Sequence, residues 1–172
     1  MWDRPHRNSW ITKLGAAIAQ AKAPVILVGQ SLCCQAIAWW ASLSPQPQGW
    51  PGAGTLPVAP ADVDWPSAAA ELGTFAPATR LPLPLPSILV ASANDPWIEL
   101  ESARSLASSW GSHFVDAGPL GHVDAASGLG WWPYGQKLLE RAIFATGGAH
   151  GEVRSPADAR AVLACPAVAE EE

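Results

Sequence analysis

The chain has 172 residues and a mass of 18.0 kDa, which is the size of one domain with at most a tail. Its 10 basic and 15 acidic side chains give a formal net charge of −5, which argues against binding of nucleic acid, because a phosphate-binding surface needs clustered cations. Apolar residues make up 49% of the chain and charged residues 15%, which excludes a disordered chain and predicts a hydrophobic core.

The sequence carries no sign of a membrane segment, a leader or a metal site. No apolar run reaches the roughly 18 residues that cross a bilayer, and the polar N-terminal residues lack the apolar stretch of a signal peptide. The expected location is therefore the cytoplasm. Cys33, Cys34 and Cys165 form neither a disulfide framework nor a metal-ligand spacing, so we expect reduced thiols, no metal and no cofactor.

The first part of the chain predicts a helix, a strand, a sharp turn and a second helix. Ser9 is a plausible N-cap for an amphipathic helix over Trp10–Ala21. The apolar run Val25–Val28 is typical of a strand buried on both faces of a parallel sheet. Gly29-Gln30-Ser31 follows as a turn, and Leu32–Leu43 is again helix-like and strongly apolar.

The rest of the chain predicts further strands and helices in alternation. In chain order they are a weak strand at Thr55–Ala59, a long Pro- and Ala-rich surface excursion over residues 60–86, a strand at Ser87–Ala91, a helix at Glu99–Trp110 closed by Gly111, a strand at His113–Asp116, a glycine-rich loop over Gly118–Gly130 and a helix at Tyr134–Phe144. Residues 147–172 are Ala-rich and are expected to be a flexible or weakly helical tail to a domain over residues 1–146.

This alternation predicts an α/β three-layer sandwich with a mostly parallel sheet. Sites in such sheets form at the carboxyl ends of the strands. Three chemically interesting residues follow predicted strands: Ser31 follows the first, Asp95 the third and His122 the fourth. We therefore expect these side chains to lie in one region.

Ser31 lies where a nucleophilic serine would be presented on a strand-to-helix turn. The backbone N–H of Leu32, at a helix start, would then face the negative charge that develops during attack. Such turns favour glycine two residues before and two after the serine. Gly29 satisfies the first requirement, whereas Cys33 replaces the second glycine. An N-cap serine is the alternative interpretation of Ser31.

Asp95 and His122 are weak signals separately. An aspartate before Pro96 is ordinary in a turn, and a lone histidine is more often structural than catalytic. Together with Ser31 they supply a nucleophile, a base and a carboxylate that orients the base, in the chain order Ser, Asp, His of α/β-hydrolases. Cys33 and Cys34 are alternative nucleophiles, but both follow the turn within an apolar helix and are expected to be buried.

From about residue 2 to residue 146 the chain resembles the small serine hydrolases typified by retinoblastoma-binding protein nine, which are minimal α/β-hydrolases. The motifs that carry the resemblance are Trp2-Asp3-Arg4-Pro5 with Trp10, Val28-Gly29-Gln30-Ser31-Leu32, Val58-Ala59-Pro60-Ala61-Asp62-Val63, Ala93-Asn94-Asp95-Pro96-Trp97 and Gly121-His122-Val123-Asp124-Ala125-Ala126-Ser127-Gly128-Leu129-Gly130. The resemblance implies that Ser31 is the nucleophile, Asp95 the orienting acid and His122 the base. It also implies hydrolysis of small-molecule esters or amides.

The sequence departs from this family at the turn and at its N-terminus. Gln30 and Cys33 stand where the family usually has histidine and glycine. The family's first strand, whose following loop would supply a second oxyanion N–H, has no counterpart before Trp2. Either the start of the chain is assigned too late or the chain is a truncated copy. For the chain as written we expect a minimal α/β-hydrolase that lacks its first strand, with an exposed edge on Pro24–Val28 that would allow a homodimer.

Three functions are compatible with the sequence. The first is a serine hydrolase that uses Ser31, His122 and Asp95. The second is a non-catalytic binding protein on the same fold, suggested by the altered turn and the 10 tryptophans. The third is an inactive, truncated pseudo-enzyme.

Overall fold

The computed structural model describes residues 4–43, 52–66, 72–146 and 161–164. The helices in these ranges are α1 (Arg7–Ala19), α2 (Leu32–Leu43), α3 (Leu100–Trp110) and α4 (Pro133–Thr146), with a short 3-10 turn at Ala125–Ser127. The strands are β1 (Val25–Ser31), β2 (Gly52–Pro60), β3 (Ile88–Ala91), β4 (His113–Asp116) and β5 (Ala161–Ala164).

The five strands form one sheet in the order β4-β3-β2-β1-β5, and every neighbouring pair within it is parallel. Helices flank this sheet, as the predicted α/β sandwich requires, so the predicted fold class is confirmed. Because all strands run the same way, their carboxyl ends meet at one edge of the sheet.

Strand β1 lies between β2 and β5 and is buried because its side chains are apolar on both faces. Val25, Ile26 and Leu27 are at most 1% exposed. Helix α2 packs against β1 and β2, and its bounds are those predicted from the sequence. Nine of its residues are buried, which explains why it is apolar all round rather than amphipathic.

Two local predictions in the first half of the chain were wrong. Helix α1 begins at Arg7, with His6 rather than Ser9 as the N-cap residue, and ends at Ala19. The excursion predicted to run over the surface after residue 60 is partly core in the ranges the structure describes. Val63 and Phe75 are buried, and Phe75 meets the Trp10 ring edge-on at a centroid distance of 5.6 Å. Aromatic burial therefore fixes this Pro-rich segment against α1.

The segment predicted as a flexible or weakly helical tail contains a strand. β5 pairs with β1 in parallel, with Val25 opposite Ala161 and Val28 opposite Ala164. The tail prediction was wrong for these residues, and the rest of 147–172 lies outside the described ranges. The prediction of an exposed β1 edge was also wrong, since β5 covers the edge at which a homodimer was expected. Among the described helices none is long and apolar enough to cross a bilayer.

Candidate active site

Ser31 is the last residue of β1, and α2 begins at the next residue. Its φ of 57° lies in the left-handed region that residues with a β-carbon rarely adopt. An N-cap residue normally has an extended backbone, so this conformation argues against the N-cap interpretation of Ser31. Strained backbone of this kind concentrates at functional sites.

The structure brings Ser31, His122 and Asp95 into one hydrogen-bonded chain. The His122 Nε2 atom lies 2.8 Å from the Ser31 Oγ atom. On the other side of the ring, His122 Nδ1 lies 2.8 Å and 3.0 Å from the two carboxylate oxygens of Asp95. The His122 side chain is 9% exposed and the Asp95 side chain is fully buried. Little water therefore competes for these contacts.

The chemistry of the partners fixes the direction of both hydrogen bonds. An ionised carboxylate only accepts, so Nδ1 of His122 donates to Asp95. In a neutral imidazole the other nitrogen, Nε2, then accepts, and the Ser31 hydroxyl donates to it. This arrangement is suited to removing the proton from Ser31 as its oxygen attacks.

The loops that carry Asp95 and His122 are bonded to each other. The Asn94 Oδ1 atom accepts hydrogen bonds from the Gly121 N–H at 2.8 Å and from the Ser92 hydroxyl at 3.0 Å. The Ser92 Oγ atom also accepts from the Leu120 N–H at 2.9 Å. Sequence reasoning missed Ser92 and Asn94, although their position just before Asp95 was a signal that their short polar side chains would bond locally.

Asp95 is also held by its own turn. The Trp97 N–H donates to Asp95 Oδ1 at 2.9 Å, which is the Asx-turn geometry of an aspartate before proline. The Trp97 ring then lies beside the His122 ring, with centroids 6.1 Å apart. Asp95 therefore both forms an ordinary Asx turn and accepts a hydrogen bond from His122.

The two cysteines after the turn are part of the core. Cys33 is 4% exposed and Cys34 is fully buried. The Cys34 thiol donates to the Gly29 carbonyl at 3.1 Å. Burial of this kind makes a thiol inert, which argues against a cysteine nucleophile. Within the described ranges, no group of three or more His, Cys, Asp or Glu side chains could hold a metal ion.

Leu32 is the first residue of α2. The first N–H groups of a helix have no partner within the helix and lie at the positive end of its dipole. The Leu32 N–H is therefore placed by the fold next to Ser31, where a partial positive charge is available to an anion.

Together the parallel sheet, the strained serine at a strand end and the buried histidine and aspartate define a hydrolase of the α/β class. The chain matches the family described as "Serine hydrolase" over residues 1–141 and belongs to that family. No curated protein sequence matches the chain.

Several solved structures are similar to this chain. A protein of Pectobacterium atrosepticum described as a YdeN-like hydrolase is 27% identical, with a TM-score of 0.71 over 83% of this chain and 72% of that one. The YdeN product of B. subtilis is 17% identical, with a TM-score of 0.70 over 82% of this chain and 77% of that one. The Mycobacterium tuberculosis protein BpoC, described as a non-heme bromoperoxidase, is 12% identical, with a TM-score of 0.59 over 82% of this chain and 74% of that one. The last two similarities concern the fold alone.

Proposed function

We propose that this serine hydrolase cleaves small-molecule ester or amide bonds through a triad of Ser31, His122 and Asp95. The observation that carries the proposal is the unbroken chain of hydrogen bonds from the Ser31 hydroxyl through the His122 ring to the buried Asp95 carboxylate. Each link has the donor and acceptor types that nucleophilic catalysis needs.

The proposed reaction follows from these contacts. The Ser31 oxygen attacks the carbonyl carbon of the substrate while His122 Nε2 takes the hydroxyl proton. His122 then gives that proton to the leaving alcohol or amine, which leaves an ester between Ser31 and the acyl group. Water then attacks this ester while His122 takes a proton from it. His122 gives that proton to the Ser31 oxygen, which releases the acid and restores the hydroxyl. Asp95 stabilises the charged ring and holds its orientation throughout.

We assign the Leu32 N–H to the developing oxyanion. A donor at the first residue of α2 faces the charge that forms on the carbonyl oxygen next to Ser31. A backbone donor in this position is fixed before the reaction begins, so it stabilises the charge without reorganising.

The surroundings of His122 favour a small substrate with an apolar group. The Trp97 ring lies beside the base and is 41% exposed, so it offers apolar surface to a bound molecule. The proposed chemistry requires no cofactor. The charge of −5 supports a small-molecule substrate rather than nucleic acid, and we propose a cytoplasmic location without membrane attachment.

Covalent labelling of the purified chain with a fluorophosphonate tests the triad. The probe should add one phosphonyl group to Ser31, detected by intact-mass spectrometry, and Ser31→Ala should abolish the addition. Ser109→Ala removes a serine on α3 outside the site and serves as the matched control, which should label like wild type. Hydrolysis of p-nitrophenyl acetate and of an anilide with the same acyl group then compares esters with amides.

The alternatives predict different results. A folded chain that takes no label, or that labels equally after Ser31→Ala, would overturn the triad and favour the non-catalytic binding protein. A chain without a cooperative thermal transition would favour the inactive pseudo-enzyme.

Within the serine hydrolase family, we also propose membership of the branch typified by retinoblastoma-binding protein nine. The support is the pair of motifs Ala93–Trp97 and Gly121–Gly130, which contain Asp95 and His122. A phylogenetic tree of the family that separates the chain from that branch would overturn this assignment.

A further inference from the structure

Gln30 connects the turn that carries the nucleophile to the loop that carries the base. Its side-chain Nε2 atom donates a hydrogen bond to the backbone carbonyl oxygen of His122 at 2.9 Å. Gln30 immediately precedes Ser31 on β1, and the bonded residue lies 92 positions further along the chain. One side chain therefore ties the two halves of the site directly to each other.

The backbone around His122 needs such support. Gly121 has a φ of 64° and Val123 a φ of 55°, so His122 lies between two left-handed residues. For a β-branched residue such as valine this conformation is a genuine outlier, and it persists only where the surrounding structure holds it. Without its anchors, the loop would be expected to relax toward ordinary backbone angles and to carry His122 with it.

The known anchors of this loop act at different points. Asn94 holds the Gly121 N–H, and Asp95 holds the His122 ring. The Gln30 bond acts on the peptide unit between His122 and Val123, which is where the strain of Val123 would be released. A shift at that peptide would move the Cα atom of His122 and change the distance from Nε2 to the Ser31 oxygen.

We propose that Gln30 is a positioning residue of the hydrolase, which sets the distance between the base and the nucleophile by holding the His122 carbonyl. The inference rests on the proposed function of Ser31 and His122. Gln30 itself touches neither substrate nor reacting atoms in this scheme. Its loss should therefore slow chemistry while leaving the initial binding of substrate or probe unchanged.

The test compares variants that lack the amide donor. Gln30→Met keeps the length of the side chain but cannot donate, and Gln30→Glu is the same shape and presents only acceptors when ionised. The rate constant for fluorophosphonate labelling at saturating probe should fall about 10- to 100-fold in both, because displaced catalytic groups lose rate steeply. The probe concentration for half-maximal rate should stay unchanged. Having two variants keeps the test decisive if one of them does not fold.

Gln35→Met is the matched control. The fully buried Gln35 amide also donates to a backbone carbonyl, that of Ala61 at 3.0 Å, but its side chain forms no hydrogen bond with Ser31, His122 or Asp95. This variant should lower the melting temperature while the folded protein labels at the wild-type rate. The opposite pattern, loss of rate without a matching loss of melting temperature, is expected for Gln30→Met.

The outcomes separate this inference from the proposed function. Labelling that survives Ser31→Ala, or a wild-type chain that takes no label, overturns the triad and the inference with it. Labelling that depends on Ser31 but proceeds at the wild-type rate in Gln30→Met and Gln30→Glu overturns the positioning role alone. A rate loss in Gln35→Met equal to that in Gln30→Met at an equal loss of melting temperature also overturns it.

Discussion

The backbone of Cys33 lies so close to Gly29 that a β-carbon on Gly29 would come within 3.0 Å of the Cys33 carbonyl carbon. The same β-carbon would lie 2.7 Å from the Cδ1 atom of Ile37. Gly29 precedes Ser31 on β1, and Cys33 and Ile37 follow it on α2. The absence of a side chain at Gly29 therefore allows this close approach of β1 to α2. The turn tolerates Cys33 in place of a second glycine because the Cys33 side chain enters the core instead.

Replacing Gly29 with alanine should destabilise the protein. Because the new methyl group meets backbone as well as a side chain, we expect the free energy of unfolding in urea to fall by about 1–3 kcal/mol. Ile37→Val removes the nearest of the three obstructing atoms, so the double variant should lose less stability than the sum of the single changes. Strict additivity, or a Gly29→Ala variant as stable as wild type, would contradict the close approach.

Asp95→Asn should leave the fold intact and abolish most of the activity. The amide can present its N–H group to His122, which favours the wrong tautomer, so turnover should fall by about 10³- to 10⁴-fold. Steady-state hydrolysis of p-nitrophenyl acetate measures this loss. Asp64→Asn is the control, since Asp64 accepts from the Ala78 N–H in a loop outside the triad. A drop of the same size in Asp64→Asn would mean that the loss reflects stability rather than catalysis.

The thiols of Cys33 and Cys34 should resist alkylation in the native protein. Both are at most 4% exposed, so iodoacetamide should modify them only through unfolding, far more slowly than in a urea-unfolded sample. The measurement uses a Cys165→Ala background so that only these two residues contribute. Rapid alkylation of the native protein, accompanied by loss of fluorophosphonate labelling, would support the alternative that a cysteine thiol acts in the site.

Proline at successive positions of β5 tests its pairing with β1. Successive N–H groups of a strand point to opposite sides, so one of Val162→Pro and Leu163→Pro should remove a ladder hydrogen bond and the other should not. We expect the disruptive variant to lower the free energy of unfolding by about 1–3 kcal/mol more than its neighbour. Equal, negligible effects of both variants would show that β5 does not support β1.

Local patterns in the sequence were sufficient to predict the elements whose structure depends on neighbours along the chain. The bounds of α2 and β4 are as predicted, because apolar runs with clear turn signals mark both. The residues of the proposed triad could also be selected in advance, since each lies at or beyond the carboxyl end of a strand and the carboxyl ends of parallel strands converge.

Features that depend on distant contacts could not be predicted in this way. The short run Ala161–Ala164 lies in an Ala-rich segment without strand signals, and only its pairing with β1 makes it a strand. Phe75 looked like part of a surface loop because the segment over residues 60–86 is rich in proline and alanine, yet Phe75 is buried against the Trp10 ring. Gln30 was interpreted as an altered flank of the turn, since nothing local reveals that its amide reaches the His122 carbonyl.

The pairing of β5 with β1 also sets the order in which the protein can mature during synthesis. Ser31, Asp95 and His122 all leave the ribosome before residues 161–164 do, so the chain holds every member of the proposed triad while one side of β1 still lacks its neighbour. Forming a contact between such distant segments is slow. Until β5 pairs with it, the open edge of β1 can pair with other chains. The arrival of β5, rather than the synthesis of the triad, therefore marks the point at which both sides of β1 are paired.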